Sequence, residues 1–223
     1  MLHIFKNYLI FFALTDFFIF FPLHADLDVE RFFTNVYENK LWWSGESCSG
    51  PGSNMHQSKL IREYLPILIH EFDIKSILDI PCGDFHWMKQ VPLGIPYIGA
   101  DIVTKLILDN NALYKNENRV FIKLDIISDE IPCVDLVFCR DCLVHLSNEH
   151  VWQALHKIKK SGSKYLLTTC HRGTTRNEDI ADGSWRPLNL MALPFNFKEP
   201  LLKITEVEEG KSMYLWKLYD LDI

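Results

Sequence analysis

Between Ser76 and Thr169 the chain repeatedly sets a short apolar run against a longer mixed stretch. Three of those runs close on an aspartate: SILD at 76–79, YIGAD at 97–101 and VFIKLD at 120–125. Short runs that are apolar on both faces suit strands buried within a sheet, while amphipathic stretches such as 103–114 and 151–158 suit helices between them. VDLVFC at 134–139 and YLLTT at 165–169 continue the series. Beyond Leu201, the segments 202–207 and 212–218 flank a turn at Glu209-Gly210, the pattern of an antiparallel hairpin. Strands that alternate with helical crossovers pair in parallel. The expected fold is therefore α/β: five β–α units in a doubly wound, Rossmann-like, mostly parallel sheet, with the C-terminal hairpin as an antiparallel edge.

Two further segments precede the first strand. Residues 28–40 place Val29, Phe32, Phe33 and Val36 at helical spacing, and 55–71 do the same with Leu60, Ile61, Tyr64, Leu65 and Leu68. Pro66 is expected to kink or end that second helix, because it lacks the amide proton and crowds the preceding turn. Between them, LWWSGESCSGPGSN at 41–54 is rich in Gly and Ser and is expected to be a loop.

Residues 1–25 differ from the rest: they hold seven of the 15 Phe and a single basic side chain, Lys6. An apolar stretch followed by Leu23-His24-Ala25 outlines a secretory signal. Asp16 in its middle opposes that reading, and a spanning helix needs about 20 apolar residues. A signal or anchor and a mis-assigned start are left as equal alternatives. The expected division is a leader over 1–25 and one domain over 26–223. The six Cys favour reduced, mostly buried thiols, since three of them end apolar runs and Cys139-Arg-Asp-Cys142 has no partner pair for zinc. That suits a cytoplasmic protein, with membrane contact only through the leader if it is retained; export through 1–25 is the alternative. A net charge of -6 offers no broad footprint for nucleic acid.

In a doubly wound sheet, ligands sit outside the carboxyl ends of the strands, where the strand order reverses. The first strand leads into Asp79-Ile80-Pro81-Cys82-Gly83-Asp84, the second ends at Asp101, the third at Asp125, and the fourth runs into Arg140-Asp141. An acid ending the second strand, about 20 residues past the first turn, is placed to accept hydrogen bonds from a ribose diol. A pyrophosphate cradle would need glycines where Pro81 and Phe85 stand, and Asp84 would repel it. The ligand expected is nucleoside-like rather than a dinucleotide.

In these motifs the chain resembles the class I S-adenosylmethionine-dependent methyltransferases. SILDIPCGDF keeps the acid Asp79 and Gly83 of their first motif, with Pro81 in place of the first glycine. Asp101, LDI at 124–126 and DLVFCRDCLVHL at 135–146 correspond to the next three. GESCSGPGSN, CGDFHWM, CRDCLVHLS and GSWRPLNL are similar to a bacterial subfamily of these enzymes. The resemblance implies S-adenosyl-L-methionine as cofactor. Gly83 would let the backbone approach its methionine portion, Asp101 would bind the ribose, and Asp125 or the Ile126 backbone the adenine edge. Asp79 and Asp84 would set negative charge near the ammonium and sulfonium. Trp43, with Trp42, is a candidate for cation–π contact with the sulfonium, although both suit core packing as well.

On the acceptor side, Asp141, His145 and His171 are the catalytic candidates; Asp141 also suits a cap for the helix expected after the fourth strand, on which His145 would sit, and each His a structural hydrogen bond. The polar stretch following the fifth strand offers Arg172, Arg176 and Arg186 to grip a carboxylate or phosphate, and Trp185 as a flat face for a sugar or ring. No metal requirement is expected. The resulting expectation is methyl transfer to a small molecule or glycan. A nucleotide- or NAD-binding oxidoreductase and an exported, non-catalytic binding protein stand as alternatives.

Overall fold

A computed structural model describes residues 28–208 and 210–223; the leader and Glu209 lie outside the described residues. Seven strands form one sheet: β1 (Ile77–Asp79), β2 (Tyr97–Asp101), β3 (Arg119–Lys123), β4 (Leu136–Cys139), β5 (Tyr165–Cys170), β6 (Leu202–Thr205) and β7 (Ser212–Lys217). Their order is β3-β2-β1-β4-β5-β7-β6, with β1 to β5 parallel and β7 antiparallel to both neighbours. The order reverses between β1 and β4, so the carboxyl ends of those strands mark the crevice.

Successive strand residues face opposite sides, and each side is covered. Leu78, Val137, Leu166 and Tyr214 pack with Val151, Leu155 and Ile158 of α4 (Asn148–Lys160) on one face. Ile77, Leu136, Leu167 and Leu215 pack with α2 (Lys59–Glu71) and α3 (Thr104–Tyr114) on the other. The α4 N-terminus is capped by Ser147, which accepts from the His150 amide, and three lysines occupy its last turn, where they oppose the helix dipole. The remaining helix, α1 (Val29–Glu38), lies above the sheet ends and is tied down by Tyr37 to Asp109 and by Glu30 to Lys123.

Three expectations are corrected. Only the β2–β3 and β4–β5 crossovers carry α-helices; the β1–β2 connection holds a short 3-10 turn (Met88–Gln90), and β3–β4 holds turns alone. The fold therefore does not contain five β–α units. Pro66 neither ends nor breaks α2, which runs through it to Glu71. Burial of Ile61, Leu65, Leu68 and Ile69, at about 1.5–3 kcal/mol each, outweighs the roughly 3 kcal/mol that an internal proline costs. His145 lies in a 3-10 turn (Leu143–His145) ahead of α4 rather than on the helix itself. All six cysteines are free, and Cys133 is exposed.

Candidate active site

An open cleft of about 1060 Å³, mouth included, lies over the carboxyl ends of β1 to β4. Its floor begins at the turn after β1. The Cys82 amide donates to the Ala100 carbonyl at 2.8 Å, and the Gly83 amide donates to Asp101 Oδ2 at 3.2 Å. Asn110 of α3 donates to the Gly83 carbonyl at 2.8 Å. Gly83 has φ +53, and a Cβ there would fall 2.3 Å from Ser49 Oγ. The glycine is thus demanded by the loop lying on top of it, not by room for a ligand alone.

That loop is a strap. Asp84 accepts from Ser47 Oγ at 3.0 Å and from the Cys48 amide at 2.7 Å, and its own amide donates to Ser49 Oγ at 2.9 Å. Asp84 therefore latches residues 47–49 over the first turn and does not line the cleft, contrary to its expected place beside the cofactor. Trp43 is also displaced from the expected position: the residue is 52% exposed and lies outside the cleft, with its ring under Lys40. Of the pair, Trp42 is on the cleft wall, which Trp87 also lines.

Asp79, Asp101, Asp125 and Ile126 all line the cleft. Burial pushes the Asp79 carboxyl up to about 8, although the Tyr97 hydroxyl donates to it at 2.5 Å. Burial likewise lifts Asp101 to about 6, against the amides of Val103 and Gly83 that favour its charged form. Asp125 turns back on its own loop, accepting from the Ile127 amide and from Ser128 Oγ. Its side chain caps a turn, and Ile126 offers apolar surface.

At the far end of the cleft, Asp141 (φ +54) joins a buried network absent from the expectations. Arg140 Nε meets Glu206 Oε1 at 2.7 Å, and Lys211 Nζ meets Asp141 Oδ2 at 2.5 Å and Glu206 Oε2 at 3.3 Å. The Arg140, Lys211 and Glu206 side chains are all at most 4% exposed. Arg140 also donates to the Gly52 carbonyl, joining the strap to this network. Burial alone would raise the Asp141 carboxyl, but Arg140 and Lys211 hold it down at about 2. Lys211 comes from the C-terminal hairpin, and no local pattern foretells that contact; Arg140 stood beside Asp141 in CRDC without a charge partner in view.

His145 lines the cleft, its ring stacked on Trp42 at 4.9 Å and edge-on to Phe33. His171 is buried outside the cleft wall, with neither ring nitrogen partnered among the described residues, and Trp185 covers it edge-on. The expected substrate arginines lie elsewhere. Arg172 pairs with Glu199 on the surface. Arg186 is buried, donating to the Leu146 carbonyl and to Asn148 Oδ1, so it braces the entry to α4. Trp185 is exposed but outside the cleft wall. The stretch from 171 to 190 is also less open than expected, because Asn177 and Asn189 staple it and Leu188 and Leu190 are fully buried. Among the described residues, no cluster of three or more His, Cys, Asp or Glu is placed to hold a metal ion.

No protein-family model matches the chain, and no curated protein matches its sequence. Solved structures do resemble it. The N-methyltransferase NodS from Bradyrhizobium japonicum, in complex with S-adenosyl-L-homocysteine, has a TM-score of 0.59 at 11% identity, covering 82% of this chain and 98% of NodS. Magnesium protoporphyrin IX methyltransferase from Synechocystis, with bound S-adenosylmethionine, has a TM-score of 0.55 at 12% identity over 86% and 97%. Human N-acetylserotonin methyltransferase has a TM-score of 0.56 at 13% identity over 86% and 60%. With this strand order and these neighbours, the chain has the fold of the class I methyltransferases.

Proposed function

We propose that this protein is an S-adenosylmethionine-dependent methyltransferase whose residues 26–223 form the catalytic domain, acting on a small molecule or glycan. The observation that carries the reading is Asp101. It ends the second strand of a class I methyltransferase fold, is buried, and lines the cleft at the reversal of strand order. A carboxylate in that place suits a ribose diol. Ile102, Val103 and Ile126 beside it suit a flat adenine, and the polar lining at Ser49, Gly83 and Asp79 suits an amino-acid tail. When bound, S-adenosylmethionine supplies a methyl group on a sulfonium, an electrophile that needs positioning more than activation. Pro81 and Asp84 in the first turn count against an NAD-binding oxidoreductase. Among the described residues no helix is long and apolar enough to cross a membrane.

Calorimetry of the full chain with S-adenosylhomocysteine, NAD and ATP tests the reading. Binding of S-adenosylhomocysteine alone is expected, weakened roughly ten- to hundredfold in Asp101→Ala by loss of charge-assisted hydrogen bonds. Binding of NAD or ATP in its place would refute it.

A further inference from the structure

Resting on the methyltransferase reading, we infer that the acceptor is an uncharged hydroxyl carried on a ring, and that His145 Nε2 receives its proton. The His145 Nδ1 atom lies 2.8 Å from the Ser184 carbonyl oxygen. A carbonyl only accepts, so Nδ1 carries the hydrogen and the neutral ring keeps its lone pair on Nε2. No hydrogen bond among the described residues engages Nε2, and it is not among the enclosed unpartnered nitrogens. The ring itself forms cleft wall. Stacking on Trp42 and the edge contact with Phe33 fix its plane.

The charge pattern then selects the acceptor. Arg140 is the one cation lining the cleft among the described residues, and its three nitrogens already face Glu206, Asp141 and Gly52. Lys211 is engaged by Asp141 and Glu206, and Arg186 by Leu146 and Asn148. A carboxylate or phosphate on the acceptor would be desolvated without a counter-charge, which is costly. The aromatic wall of Trp42 and Phe33 suits a ring face, whether phenolic or that of a sugar. An ammonium acceptor would have to lose its proton before it had a lone pair to attack with.

The step balances. An oxygen lone pair of the acceptor forms the new O–CH3 bond as the C–S bond of the sulfonium breaks, and sulfur keeps that electron pair. The hydroxyl proton moves to His145 Nε2. The field of Asp141, which Lys211 and Arg140 hold as an anion on the same cleft wall, favours the resulting imidazolium, while Lys211 and Arg186 are the cations that act against it. Burial keeps the resting ring neutral by lowering its affinity for a proton. Asp141 is a positioning residue here, because its oxygens already accept from Lys211 and Thr169.

Two measurements on the full chain test this. Nitrogen-15 NMR of the His145 ring at neutral pH should show the Nδ1–H tautomer; an Nε2–H tautomer would overturn the assignment. Calorimetry and methyl-transfer assays, with S-adenosylhomocysteine affinity recorded first, should then compare 4-methylphenol and methyl glucopyranoside with 4-hydroxybenzoate, glucuronate and benzylamine. Preference for either neutral probe supports the inference and tells phenol from sugar. Preference for a charged probe, or no preference among the five, overturns it. Failure to bind S-adenosylhomocysteine would instead strike at the methyltransferase reading. His145→Gln should lose transfer at least a hundredfold, and lose the acid limb of its pH profile, while binding S-adenosylhomocysteine as the parent does. Retained transfer in that variant would also overturn the role.

Discussion

Replacing Glu206 by Gln removes the most buried anion from a set of four charges. Arg140 and Lys211, each 4% exposed, then keep only the partly exposed Asp141 and, for Lys211, the half-exposed Glu208, leaving one poorly compensated positive charge. Removing one partner from a buried ion network costs about 3–5 kcal/mol. Gln can still accept from Arg140 Nε, so a value near 3 kcal/mol is expected. With a urea m value of about 3 kcal/mol/M, the unfolding midpoint should fall by about 1 M. Lys211→Met removes a cation and should cost a similar amount. The double variant leaves a neutral Arg140–Asp141 pair, so its loss should stay near 3–4 kcal/mol rather than doubling. Urea unfolding of all four proteins, followed by tryptophan fluorescence, gives the cycle and a coupling of about 2–3 kcal/mol. A Glu206→Gln loss below 1 kcal/mol, or additive single losses, would refute the idea that these charges act as one compensated unit.

Two further outcomes follow from the floor of the cleft. Asp79 and Asp101 bind protons more tightly in the folded chain, at about 8 and about 6 against an ordinary 3.8, so the stability they contribute is fully present below pH 3.8 and lost as pH rises through those values. Asp79→Asn should therefore raise the melting temperature at pH 9 and leave it nearly unchanged at pH 4; equal effects at both would contradict the argument. Gly83→Ala should destabilise by about 1–3 kcal/mol through its positive φ and the crowding of Ser49, and Ser49→Gly in the same chain should recover the steric part, read by thermal melts.

Strand ends were the legible part of this chain, because an apolar run that stops on an acid announces both a buried strand and the point where it meets ligand. Asp79, Asp101 and Asp125 were read at strand ends that way, and all three line the cleft; the hairpin was read from its turn residues. What failed was whatever depends on one dihedral or on a distant partner. Trp42 and Trp43 are neighbours, and the chain turns just before them at Lys40 with φ +52, so only one faces the cleft. Asp84 and Arg186 look like ligand-binding charges until the strap and the α4 entry claim them. The 171–190 segment reads as open because its packing rests on two asparagines bonded to backbone, which carry no periodic signature.

The network at Asp141 also ties together distant parts of the chain. Arg140 reaches back 88 residues to Gly52 and forward 66 to Glu206, and Lys211 lies 70 residues beyond Asp141. Contacts of such span form late, after loop closure has brought β7 beside β5. During synthesis, the strap and the first four strands emerge well before the hairpin that neutralises Arg140. A ribosome-bound chain truncated ahead of Lys211 therefore holds all of the strand-end aspartates but not the closed charge set beneath the strap. The compensation of Arg140 is thus contributed by the turn before β7, although the cleft wall itself is drawn from residues 29 to 146.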